Sequence, residues 1–201
     1  MDRVRRIMEF DRKGMASLVL WARRRRDGVP PGATEVSYAR EQSTIMMIFT
    51  CAMAVELIAV EVLLQAMDVE LWVRLVVLVL DAYSLLFVLA VIAACVTRPH
   101  VVTDRELRIR YGAFFDARVP RELVASARLV RNYNETGLLS VKDGRLGVAV
   151  SSQTNVVVQL TEPVTVTRPL GGRAEVTVIR FFADTPGDVV AALRPAESSA
   201  A

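Results

Sequence analysis

Three carboxyl side chains stand where carboxyls are costly. Glu56 and Glu61 interrupt an apolar run from Thr44 to Met67, and Asp81 interrupts a second run from Leu71 to Val96. An Asp at the centre of a lipid-embedded helix costs roughly 2.5–3.5 kcal/mol on insertion scales. At 1.5 Å per residue, Glu61 and Asp81 lie about 9 and 12 Å from the outer end of the hairpin, within reach of each other. Glu56 lies near mid-height, level with Ser84. Glu56 and Glu61 are separated by about 140° around a helix, so they cannot both face the second run. With no basic residue expected at that depth, the acids are predicted to be protonated and hydrogen-bonded to one another or to Tyr83 and Ser84. Three roles stay open for Glu56, Glu61, Asp81 and Ser84: polar packing, docking to another membrane protein, and a proton or cation path. Two helices cannot enclose a pore, so an ion path requires an oligomer.

The elements that must carry these acids follow from length. Each run exceeds 20 residues, enough to cross a hydrocarbon core of about 30 Å as a helix. In lipid every backbone polar group needs an internal partner, which selects helices. Asp68-Val69-Glu70 between the runs allows only a tight hairpin. Arg40 and Arg23-Arg24-Arg25-Arg26 precede the first run, and Arg98, Arg105, Arg108 and Arg110 follow the second, whereas the connector region offers only Arg74. The positive-inside rule then places both chain ends in the cytoplasm, and Trp72 falls where an outer interfacial residue belongs. The first run starts too far into the chain for a signal-peptide layout and is expected to be retained. Cys51 and Cys95 lie within the two runs, near the same membrane face; they read as small apolar residues, with a disulfide between them as the alternative.

The chain has 201 residues, is 53% hydrophobic and carries a net charge of +3. Residues 1–42 form a basic, partly amphipathic segment and linker. Val4, Ile7, Met8, Met15, Leu18, Val19 and Ala22 fall near one helical face, with Arg3, Arg5, Arg6, Arg12 and Lys13 mostly off it. Gly14 weakens a continuous helix. Trp21 followed by Arg23, Arg24, Arg25 and Arg26 suits an interfacial anchor, ring at the headgroups and guanidiniums on anionic lipid; a solvated tail that only fixes topology is the alternative. The charges lack interleaved aromatics, so nucleic acid is not an expected partner. Asp27 to Gly32 cannot continue a helix, and Glu35 to Gln42 reads as a polar approach to the first span.

After Arg98-Pro99-His100 the hydrophobic period changes to two. Glu106–Tyr111, a turn at Gly112-Ala113 and Phe114–Val119 read as a hairpin. Further strands are predicted over Leu123–Val130, Leu146–Val150, Val156–Leu160, Val164–Thr167 and Glu175–Phe182. A short helix is predicted over Pro186–Leu193, with Pro and Asp188 in its first turn. Tyr133–Lys142 is poorly patterned. His100, the sole histidine, is expected at the membrane–water boundary with a polar contact. Ser151, Ser152, Gln153, Thr154 and Asn155 form the densest uncharged polar run, either a binding loop for a headgroup or peptide or a turn between strands. No nucleophile elbow, phosphate loop, dinucleotide fingerprint or paired Cys/His metal spacing occurs, so no catalytic residue, metal or cofactor is expected.

The stretch Val101-Val102-Thr103-Asp104-Arg105-Glu106-Leu107-Arg108-Ile109-Arg110-Tyr111-Gly112 resembles the opening hairpin of bacterial pleckstrin-homology-like (PH-like) domains, in which a transmembrane hairpin often precedes a "VTDRRL…YG" motif. Val119–Ser126 and Arg180–Pro186 resemble the same group's strand entry and the lead into its closing helix. The resemblance spans residues 98–194. It implies a seven-stranded, partly open barrel capped by one helix, bacterial inner-membrane residence, and no enzyme activity or fixed ligand. The expected fold class is therefore an α+β membrane protein: a two-helix transmembrane hairpin (43–97), a small PH-like β-barrel or sandwich with a C-terminal helix (98–194), and a disordered tail (195–201). Its expected function is non-enzymatic presentation of a cytoplasmic module to a protein or anionic lipid, with an outer basic patch of Arg105, Arg108, Arg110 and Arg118. Membrane lipid and a homo-oligomeric or other membrane-protein partner are the expected contacts. The alternative is an oligomeric proton or cation transporter, or a subunit of one, built on the acids.

Overall fold

A computed structural model describes residues 2–169 and 171–194, with side chains from Met8 onward. The side chains of Arg3, Val4, Arg5, Arg6 and Ile7 and the predicted tail of 195–201 lie outside the described residues. Three long helices come first: α1 (Asp2–Ala22), α2 (Arg40–Ala66) and α3 (Leu71–Thr97). Helices α2 and α3 are each long and apolar enough to cross a membrane. Large apolar side chains stand exposed along them from Ile45 to Phe87, whereas α3 is buried from Ile92 to Cys95. The hairpin turns tightly because Asp68 adopts a left-handed backbone (φ 51°). Its N–H bonds the Gln65 carbonyl at 3.2 Å and the Val69 N–H bonds that of Leu64 at 3.1 Å. This pair of bonds is the usual way of closing a helix C-terminus through one left-handed residue.

Helix α1 runs unbroken through Gly14, which sits against Ala90 of α3. Ser17 is fully buried there and returns its hydroxyl to the Lys13 carbonyl at 2.7 Å. The Phe10 and Phe114 rings lie 5.5 Å apart. Burial against α3 and the β-rich part offsets the low helix propensity of glycine.

The β-rich part is a two-sheet sandwich. One sheet, in the order β1-β2-β3-β4, contains β1 (Thr34–Val36), β2 (His100–Val102), β3 (Glu106–Tyr111) and β4 (Phe115–Pro120), all antiparallel. The second contains β5 (Val124–Asn132), β6 (Leu139–Lys142), β7 (Arg145–Val148), β8 (Thr154–Thr167) and β9 (Arg173–Phe181), in the order β5-β8-β9-β7-β6. Among the described strands only β7 and β9 run parallel. Alternating inward residues fill the core: Leu107, Ile109, Ala117 and Val119 from the first sheet meet Leu146, Val156, Val158, Val176 and Ile179 from the second. The closing helix α4 (Pro186–Ala192) adds Val189, and Leu193 follows it. Arg121 donates to the carbonyls of Ala192 and Arg194, holding the end of that helix.

The described strands differ from the seven predicted by three additions, β1, β2 and β6, and by one fusion, in β8. β1 comes from before the apolar hairpin, in a segment that reads from sequence as a linker and polar approach. β6 occupies ground that shows little alternation, and it pairs with β7, which matches the strand predicted over Leu146–Val150. β8 also joins two predicted strands across Pro163, where the ladder to β9 slips between Gln159 and Val164. Proline has no N–H to give to a ladder, so the slip falls where pairing is already lost.

Ser151 and Ser152 form the two-residue turn between Val150 and Gln153, whose N–H and C=O groups bond reciprocally at 3.1 and 2.9 Å. Both serines have positive φ (50° and 60°), as in a type I′ turn, where Asn-Gly is favoured. A side chain held there costs on the order of 1 kcal/mol or more. The double variant S151N/S152G should therefore gain about 1 kcal/mol, or about 2–4 °C in melting temperature for a chain of this size. An unchanged or lower melting temperature would show that the turn is not strained.

Candidate functional site

The junction between hairpin and sandwich gathers most of the buried polar chemistry. His100 opens β2, three residues past the end of α3, and is fully enclosed. Its Nδ1 accepts the Arg110 backbone N–H at 3.1 Å. Its Nε2 therefore carries the proton and donates it to the Phe182 carbonyl at 3.0 Å. The ring stacks on Tyr38 at 4.6 Å and meets the edge of Phe181 at 5.0 Å. Burial pushes the His100 pKa down to about 4, the Phe182 carbonyl opposes the fall, and the Arg110 charge adds to it. The expectation of a boundary histidine is thus corrected: His100 sits in the core, and both nitrogens are tied to backbone. It has no free nitrogen for acid–base work.

Tyr38, four residues after Thr34, completes this pocket. Its hydroxyl accepts the Gly112 N–H at 2.6 Å, and its ring stacks on Tyr111 at 5.8 Å. Burial, followed by the nearby Cys95 thiol, raises the Tyr38 pKa well above its ordinary value. Burial likewise pushes Tyr111 up to about 12, and its hydroxyl donates to Gln42 Oε1 at 2.8 Å. Both phenols are held neutral. Gly112 is favoured on two counts, since its φ is +51° and a Cβ would lie tightly, 3.3 Å from Cys95 Sγ.

The expected basic patch does not form. Arg108, Arg110, Asp116 and Arg118 do share one face, through the register Arg108↔Arg118 and Arg110↔Asp116. The linker after α1 covers that face. Arg110 is 1% exposed and donates to the carbonyls of Asp27 at 2.7 Å and Gly28 at 3.3 Å. Burial and the neighbouring Arg108 charge lower its pKa. Arg108 binds Asp116 at 2.8 Å, and that bond raises its own pKa. Burial opposes the charge on Asp116, but Arg108 prevails and holds its pKa below the ordinary value. Gly28 passes so close that a Cβ would fall 2.7 Å from Arg108 Nη1. Only Arg105 and Arg118 remain exposed, and Arg118 lies 3.9 Å from Glu106. Asp27, read from sequence only as the start of a linker, holds Arg98 at 3.0 Å and gives its N–H to the Thr97 carbonyl at 2.9 Å.

The acids of the hairpin are separated. Glu61 faces α3 and pairs with Arg74, whose Nε lies 3.1 Å from Glu61 Oε1. This corrects the expectation that no base stands at that height: Arg74, counted among the connector residues, reaches along the helix to Glu61. Asp81 is half-buried and Glu56 exposed, and neither has a polar side-chain partner among the described residues. Tyr83 donates to Asp11 of α1 at 3.2 Å, and Ser84 to the Leu80 carbonyl at 2.8 Å, so neither serves an acid of the hairpin. Trp72 is exposed at the start of α3.

Within the predicted polar run only Ser151 and Ser152 are exposed. Gln153 closes the turn. Thr154 is 1% exposed and donates to Glu135 Oε1 at 3.1 Å. Asn155 bonds both the carbonyl and the N–H of Ala183, at 2.7 and 2.9 Å. Glu135, not singled out in the sequence, also accepts from Asn132 at 2.8 Å and lies 3.7 Å from Arg180. An open cleft of about 330 Å³ separates Ser151, Ser152 and Leu138 from Gln42, Ile45 and Met46 at the start of α2. Trp21 and Arg24–Arg26 line a second cleft against the end of α3. Among the described residues no group of three or more His, Cys, Asp or Glu is placed to hold a metal ion.

His100 makes the junction pH-sensitive in a defined direction. Its folded pKa of about 4 lies below its ordinary 6.5, so between these values the unfolded chain binds more protons. Stability is then full above pH 6.5 and falls by about 3 kcal/mol as pH drops through 4. Melting of the full chain between pH 7 and 4 should show this loss, and H100Q should lose most of the slope. An equal slope in H100Q would assign it to other groups. Comparison with known protein families, curated proteins and solved structures finds no match to this chain.

Proposed function

We propose that the chain is a non-enzymatic, membrane-anchored binding protein. In this reading α2 and α3 cross the inner membrane of a bacterium, α1 packs along α3 as far as Tyr83, and the sandwich lies in the cytoplasm and acts as a PH-like module that engages a protein partner. The exposed apolar girdle from Ile45 to Phe87 supports the membrane setting. The arginines gathered on the sandwich side support the orientation. The run of mostly antiparallel strands closed by a terminal helix supports the PH-like reading, with β1, β2 and β6 as additions.

The observation that carries the binding role is the outer edge of β5. This strand ends its sheet, and Arg128, Leu129, Val130 and Arg131 are four consecutive exposed residues on it. Tyr133 and Leu138 are also exposed just beyond. An unpaired strand edge with apolar side chains on it is a template for a partner strand. Within the membrane plane, Glu56 on an open apolar wall favours a second copy or another membrane protein beside α2. Ion conduction draws less support, because Arg74 neutralises Glu61.

A photo-crosslinking residue at Leu129, compared with one at Lys142 on the far edge strand, tests the assignment in cells. The reading expects a discrete protein adduct at 129 and none at 142. Adducts to lipid alone at 129 would favour bilayer contact by this rim instead, and no adduct at 129 would remove the partner site.

A further inference from the structure

The cleft beside the end of α1 stands at a defined height. Helices α2 and α3 run back from the turn at Met67–Glu70, so Ile45 and Ile92 are level, each roughly 32 Å along its helix from the turn. That is close to a hydrocarbon core of about 30 Å. Val96 and Thr97 are a further roughly 6–8 Å along, inside the polar layer that brings a bilayer to about 40–45 Å in total. Trp21, Arg24, Arg25 and Arg26 surround a space of about 290 Å³ against these two residues. The volume is near the lower end of small-molecule sites, roughly 300 Å³.

Two features make this more than a solvated charge run. Arg24 takes the left-handed position (φ 51°) that ends α1, a place where glycine is usual. Bonds from Arg24 N to Trp21 O at 2.9 Å and from Arg25 N to Leu20 O at 2.8 Å fix that geometry. The guanidiniums of Arg24 and Arg25 have no ion pair or hydrogen bond among the described residues. The carbonyls that would compete for them are already occupied: Arg26 Nη1 holds Val96 O at 3.0 Å and Asp27 N holds Thr97 O at 2.9 Å. Arg26 therefore builds the wall, and Arg24 and Arg25 are left to face an anion. Trp21 is 36% exposed at the same rim, and an indole there suits the interface.

We propose that this cleft binds the phosphodiester headgroup of an anionic membrane lipid, with Arg24 and Arg25 on the phosphate and Trp21 against the glycerol region. The inference rests on the membrane reading above and names one ligand class for the protein's own junction. Because the fork of donors on an arginine matches phosphate oxygens, two unpaired arginines give both charge and geometry.

Native mass spectrometry of the full chain in detergent, titrated with phosphatidylglycerol and phosphatidylcholine, tests it. Phosphatidylglycerol should bind in preference, R24Q/R25Q should weaken it about thirtyfold, and R128Q/R131Q on β5 should leave it unchanged. R24K/R25K, which keeps the charge, should retain part of the binding and controls for folding. Equal binding of the two lipids would overturn the site, as would an R24Q/R25Q result matching the parent. Displacement of the lipid by inorganic phosphate at moderate excess would also overturn it, since the site would then take the free anion. An alkaline carbonate wash of native membranes separates the two levels. Release of the protein would defeat the membrane reading itself, whereas retention without lipid preference would defeat only the headgroup site.

Discussion

Three backbone pairings close the chain around its apolar hairpin: Thr34 with Val102, Glu35 with Val101 and Val36 with His100. The first partner of each pair precedes α2 and the second follows α3. The two feet of the hairpin are therefore adjacent strands of one sheet, and the 63 residues between Val36 and His100 must leave and return at the same place. An antiparallel helix pair with a tight turn is the economical solution, and it is the one observed. Tyr38 depends on the same closure, because β1 delivers it onto the His100 ring. The hairpin and the sandwich are consequently one folding problem. A fragment starting at Arg98 would lack β1, expose the edge of β2 and leave the His100 pocket without its stacking partner.

The arginines divide by what this closure does to them. Arg98 and Arg110 turn inward, and the exposed Arg26 reaches back across the surface; together they satisfy backbone carbonyls of α1, the linker and the end of α3, with Asp27 taking Arg98. A buried guanidinium is costly unless its donors are met. Arg110 meets that demand with two carbonyls, although its Nε is without a partner. Arg108 is neutralised by Asp116 on the neighbouring strand. Arg23 to Arg25 and the β5 pair Arg128 and Arg131 face outward. Arg98 and Arg110 thus serve as struts between the linker, α3 and β3, whereas most other arginines among the described residues stay exposed.

Much of this architecture was legible from residue pattern. The two apolar runs give α2 and α3 to within a few residues, because continuous apolar character over more than 20 positions has few readings. Glu106–Tyr111 is plain from strict alternation, and Pro186 with Asp188 marks the start of α4. What escaped did so for physical reasons. β1 is three residues long and earns its place by pairing with a strand 64 positions away, which no local period records. β6 mixes Leu139 and Val141 with Ser140 and Lys142 after an irregular loop. The face of β3 bearing Arg108 and Arg110 alternates like a solvated face, yet the Asp27–Gly28 linker covers it. Arg74 was read as a connector residue, although a long side chain reaches back along its helix to Glu61. Side-chain reach and long-range covering are tertiary facts, and composition does not carry them.

Amide hydrogen exchange across residues 34–36 in the full-length protein, held in lipid nanodiscs, addresses the closure directly. Protection of Glu35 and Val36 comparable to that of Val101 and Val102, lost together on unfolding, is the predicted result. Exchange at 34–36 at the rate of a free peptide, with 100–102 still protected, would contradict it.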